Sequence, residues 1–115
     1  MKNKNDQALE IARCIATFME DYAPTHLTNS KHTLQSYESA LTLYVAFLET
    51  KCYIKPGTFG YQCFEKDYIE RWLKWLAEER QCSPATCNNR LSAFRTFIKY
   101  LSSKNIKYQY LILDA

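Results

Sequence analysis

Apolar residues recur along this chain at the three-to-four spacing of a helix, in four separate stretches. The first stripe, Leu9, Ile11, Ala12, Ile15, Phe18, Met19 and Tyr22, predicts a helix over 5–22. Asp6 and Glu10 suit its N-terminal dipole, and Pro24 is expected to stop it. "THLTN" then reads as a connector. The second stripe, Leu34, Tyr37, Leu41, Tyr44, Val45 and Leu48, predicts a helix over 30–51 with Ser30 as its cap. "CYIKPGTFGYQCF", residues 52–64, holds both glycines and Pro56 and is the one long connection; its aromatics predict that it packs on the domain. A third helix is expected over 65–80, with Tyr68, Ile69, Trp72, Leu73 and Leu76 turned inward. The fourth runs over 83–101. Ser83 caps it, Pro84 fits its first turn, and Cys87, Leu91, Phe94, Phe97, Ile98 and Leu101 form the stripe.

The second and fourth stretches superimpose at a constant offset of 53: Ser30 on Ser83, Thr33 on Thr86, Ala40 on Ala93, and Leu41, Tyr44, Val45 and Leu48 on Phe94, Phe97, Ile98 and Leu101. Shared helix grammar explains the likeness without common ancestry, since two copies make a weak repeat. The polar faces are similar too. One offers Lys31, His32, Gln35, Ser36, Ser39 and Thr42, with Glu38 and Glu49 toward an edge or the far end. The other offers Asn88, Asn89, Ser92, Arg95, Thr96 and Lys99. Neither first turn carries an acid, although the helix dipole favours one there. An anionic partner explains the omission, because phosphates sit well at helix N-termini. Amides, hydroxyls and cations are also the groups that reach base edges and phosphates.

Composition sets the limits around this pattern. A chain of 115 residues is one domain of ordinary size, able to bury a real core. Hydrophobic content of 47% with 15% aromatics excludes disorder, and two Gly with three Pro favour helices over many short strands. No apolar run reaches membrane-spanning length and the start, MKNKNDQALE, has no signal-peptide form, so a cytoplasmic protein is expected. The net charge of +3 permits nucleic-acid binding without announcing it. Five cysteines, an odd number with no CxxC pair, predict reduced thiols; Cys82, Cys87, His26 and His32 lack ligand-pair spacing, so neither metal nor cofactor is expected. Cys14 and Cys87 lie on apolar faces as small core residues.

"NSKHTLQSYESALTLYVAFLE" and "FEKDYIERWLKWLAEERQCSPATCNNRLSAFRTFIKYL" resemble the core-binding domain of tyrosine recombinases, the phage-integrase family. The likeness is carried by Ser30, Thr33 and Tyr37 at one helix start, by Asp67, and by Ser83, Thr86, Leu91, Arg95 and Phe97 at the last. It implies an all-α, four-helix SAM-like bundle spanning the chain, with 102–115 as a tail or the start of a linker to a catalytic domain in a longer parent protein. It also implies that the second and fourth helices lie against double-stranded DNA, as one half of a clamp in a recombinase of a mobile element. The cleaving residues of the family belong to that separate C-terminal domain. Here both histidines lack the His-x-x-Arg context, and the nine tyrosines read as core or rim, so no strand cleavage is expected of this chain alone. The residues predicted to face DNA are Lys31, His32, Gln35, Ser36, Thr86, Asn88, Asn89, Ser92, Arg95 and Lys99. Arg90 borders the apolar stripe and is set apart as a brace. The other partners implied are the catalytic domain and fellow recombinase protomers on DNA, the chain being a monomer alone. The alternative is a helical protein–protein interaction module anchored by Trp75, Tyr108 and Tyr110.

Overall fold

The computed structural model describes residues 4–104 and Gln109. It is an all-α bundle of four main helices: α1 (Lys4–Thr17), α2 (Lys31–Lys51), α3 (Lys66–Glu78) and α4 (Pro84–Lys104), and no strand is present among the described residues. The expected fold class is borne out. The long connection makes two short 3₁₀ turns, Pro56–Thr58 and Tyr61–Phe64, and buries Phe59, Cys63 and Phe64. It packs on the domain as its aromatics predict.

The core is a chain of rings that ties α2, α3, α4, the long connection and the segment after α1 together. Phe94 of α4 lies 4.2 Å from Tyr44 of α2 and 5.2 Å from Trp72 of α3, centroid to centroid. Phe64 of the connection stacks on Phe94 at 6.1 Å. Phe18, just after α1, reaches Phe97 and Tyr100 of α4 at 5.4 Å each. Burying each such side chain contributes about 1.5–3 kcal/mol. The Tyr44 hydroxyl donates to the Cys63 carbonyl, which locks the connection against α2.

Three expectations about the chain give way to the structure. Pro24 does not end the first helix. The chain stays helical through Phe18–Leu27 in wide π turns, and the Thr28 amide reaches back five residues to Ala23 O at 3.0 Å. A wide turn has room for a proline, which lacks the amide for a regular turn and collides with the carbonyl four residues back. The segment holds because Phe18 and Ala23 are fully buried. Leu9 and Ala12 are exposed, since the buried stripe of α1 runs through Ala8, Ile11 and Cys14 and continues to Phe18 past its end. Tyr53 is neither core nor rim: it is 87% exposed.

The ends of α2 and α3 explain Tyr53. Past each helix one residue turns left-handed, Tyr53 at φ 57° and Gln81 at φ 54°. The next amide then bonds back six residues, Ile54 N to Leu48 O and Cys82 N to Leu76 O, both at 2.9 Å. That closure normally uses glycine, and here two bulkier residues accept the strain. It also stops α3 at Glu78, two residues before its expected end. Helix α4 runs on to Lys104, three residues into the expected tail, and buries Tyr100 and Ser102. The rest of that tail, apart from Gln109, lies outside the described residues.

Candidate nucleic-acid interface

Both helices of the polar surface start on a serine. Ser30 Oγ accepts the Thr33 amide at 3.3 Å, and Ser83 Oγ accepts the Thr86 amide at 3.2 Å while donating to Thr86 Oγ1 at 3.1 Å. Caps of this kind contribute about 1 kcal/mol and set where each helix begins. Neither first turn contains Asp or Glu, so no carboxylate of those turns offsets the positive ends of the two dipoles.

These two starts lie side by side. Between them is an open groove of about 380 Å³, lined by His32, Gln35, Ser36 and Ser39 of α2 and by Ala85, Thr86, Asn89 and Arg90 of α4. A second hollow of about 580 Å³ continues it, sharing Gln35, Ser39 and Arg90 and adding Glu38, Thr42, Leu43 and Arg80. Of the ten residues predicted to face DNA, His32, Gln35, Ser36, Thr86 and Asn89 meet in the first hollow. Lys31 is exposed in the first turn of α2. Asn88, Ser92, Arg95 and Lys99 are exposed on α4 at steps of four, three and four, so they form one outward row opposite the buried Phe94, Phe97 and Leu101.

Three side chains change the picture drawn from sequence. Arg90, set apart as a brace, lines both hollows. Its Nη1 donates to Asn89 Oδ1 at 3.1 Å, while its Nε is buried without a partner among the described residues. Arg80 reaches the second hollow from the end of α3, with its guanidinium 5.7 Å from the Trp75 ring centroid. No local signal marked it, because the left-handed turn at Gln81 and the packing of α3 bring it there. Glu38, expected toward an edge of the α2 face, lines the second hollow beside Arg80 and Arg90.

The remaining polar chemistry is structural. Burial pushes the Cys14, Cys52, Cys63 and Cys87 thiols above their ordinary pKa, which keeps them neutral and weakly nucleophilic. All five cysteines are free, and no three His, Cys, Asp or Glu side chains assemble as metal ligands among the described residues. No described helix is long and apolar enough to cross a membrane. Trp75 is half-buried with its ring 5.7 Å from Phe47, so the fold already uses it. Tyr108 and Tyr110, the other two anchors of the alternative reading, lie outside the described residues.

Comparison with known proteins converges on one family. Residues 15–108 match the family model described as phage integrase, N-terminal SAM-like domain. The chain is 30% identical over 93 residues to the Sinorhizobium fredii (strain NBRC 101917 / NGR234) protein named "Putative integrase/recombinase y4rD". That similarity covers 77% of this chain and 33% of the relative, so the chain spans about a third of its curated relative's length. No solved structure matches it.

Proposed function

Because the chain belongs to the phage-integrase family, as its N-terminal SAM-like domain, we propose that it is the DNA-binding module of a tyrosine recombinase from a mobile element. In this reading α2 and α4 lie against duplex DNA and hold it like one jaw of a clamp. A separate C-terminal domain of the same parent protein cuts and rejoins the strands, and protomers meet only on DNA. The match of this chain to the N-terminal domain alone supports that division of labour.

The observation that carries the proposal is the meeting of two acid-free, serine-capped helix starts at one groove. Dipole ends, amides and hydroxyls converge there from elements 53 residues apart in sequence. Such a surface suits phosphates and base edges, and it offers little to an apolar partner. The test is a salt titration of the chain with a labelled duplex, followed by fluorescence anisotropy. Affinity should fall linearly on a log–log plot, with a slope of about −0.9 for each phosphate neutralised. Binding that is absent at low salt, or indifferent to salt, would sink the reading.

A further inference from the structure

We propose that the first hollow between α2 and α4 seats the sugar–phosphate backbone of one DNA strand, with Asn89 and Arg90 gripping phosphate there. Base reading falls to Asn88, which stands on the outward row. This rests on the DNA-binding reading above and divides the work within that surface.

Shape is the first argument. Base edges lie on the floors of the DNA grooves, where only a convex element such as a helix ridge can reach them. A concave hollow instead receives a convex ridge, and on a duplex the ridges are the phosphate backbones. Asn89 and Arg90 line the hollow, while Asn88 stands on the exposed ridge of α4.

Hydrogen-bond chemistry is the second. Arg90 Nη1 donates to Asn89 Oδ1 at 3.1 Å. A guanidinium has no acceptor, so the amide oxygen, not its nitrogen, must be the atom that faces it. Reading adenine takes both the acceptor and the donor of an amide. With its oxygen engaged by Arg90, Asn89 is left to offer donors, and donors alone are what a phosphate asks for. Arg90 adds more of the same, since a guanidinium carries five N–H donors and no acceptor. The Thr86 hydroxyl, whose oxygen accepts from Ser83, turns its own proton to the same task.

The experiment selects duplexes from a randomised library with the chain, then titrates one selected duplex with salt. Asn89→Ala and Arg90→Met should weaken binding to all duplexes alike, by roughly three- to tenfold, and leave the selected base composition unchanged. Arg90→Met should also flatten the salt slope by about one. Asn88→Ala should shift the preferred base at one position by roughly fivefold or more. A shift of that size from Asn89→Ala, with none from Asn88→Ala, overturns the inference while the DNA-binding reading stands. Selection with no base preference at all overturns the base-reading role of Asn88. Failure of the wild-type chain to retain any duplex sinks the DNA reading itself. Should Arg90→Met fail to fold, the exposed Asn89→Ala carries the test alone.

Discussion

The two halves of the α2–α4 pair come from the same helices and differ in what they bury. In the C-terminal halves Tyr44, Leu48, Phe94, Phe97 and Leu101 are sealed from water, and the rings of Tyr44 and Phe94 approach to 4.2 Å. In the N-terminal halves Leu34, Tyr37, Cys87 and Leu91 are only half-buried, and the helices part around a polar groove. The difference teaches where each kind of energy resides. Stability is concentrated in the ring cluster, whereas the groove end holds its shape through capping and is where DNA binding is proposed. Substitutions should therefore separate the two properties.

The largest effect is expected in the rings. Phe94→Ala should cost about 3–5 kcal/mol in urea unfolding, through lost burial and the cavity left behind. A loss below about 1 kcal/mol would mean the two halves are not energetically distinct.

Tyr44→Phe should cost about 1 kcal/mol, since it removes the bond to the Cys63 carbonyl. It also carries a pH signature. Burial pushes the Tyr44 phenol well above its ordinary pKa of about 10, with the neighbouring Cys63 adding to the shift. As pH rises past about 10 the unfolded chain loses this proton while the folded chain keeps it, so the unfolded state binds fewer protons and stability falls. The contribution is complete below that pH and is lost above it. Urea midpoints measured across the alkaline range should fall more steeply for the wild type than for Tyr44→Phe.

At the groove end, Ser83→Ala should cost about 1 kcal/mol by fraying the start of α4. Its effect on DNA affinity should exceed its effect on the core, because the Thr86 and Asn89 wall moves with that first turn. Parallel urea and anisotropy measurements check both. A smaller change of opposite sign is expected at the turn that delivers Arg80. Gln81→Gly relieves a left-handed residue at φ 54° and should raise stability by about 0.5–1 kcal/mol, measured by thermal unfolding.

The smallest stability change belongs to the outward row. Arg95→Ala and Lys99→Ala should leave unfolding within about 0.5 kcal/mol. Each should nevertheless weaken DNA binding across sequences and flatten the salt slope by about one, which sharpens the separation of binding from folding. Unchanged affinity and slope in both variants would remove this row from the DNA surface.

Local sequence was enough for the four helices, the serine caps of α2 and α4, and the core faces of α2, α3 and α4, though not for the face of α1. Spacings of three and four, a Ser placed three residues before the amide it accepts, and the missing acids of two first turns are all local facts. They hold wherever the helix is placed, which is why Ser30, Ser83, Phe94 and Phe97 could be assigned without coordinates. Only the tertiary structure decided the rest. Pro24 ends an isolated helix, yet a buried Phe18 and Ala23 keep the chain coiled past it in a wider turn. Tyr53 and Gln81 give no glycine-like warning, yet the packing of α2 and α3 holds them left-handed. Five of the predicted contact residues meet in one hollow, and Lys31 and the outward row do not. Arg80, Arg90 and Glu38 joined that surface for the same reason. Which side chains face each other across a groove depends on how distant segments pack, and no local spacing encodes that.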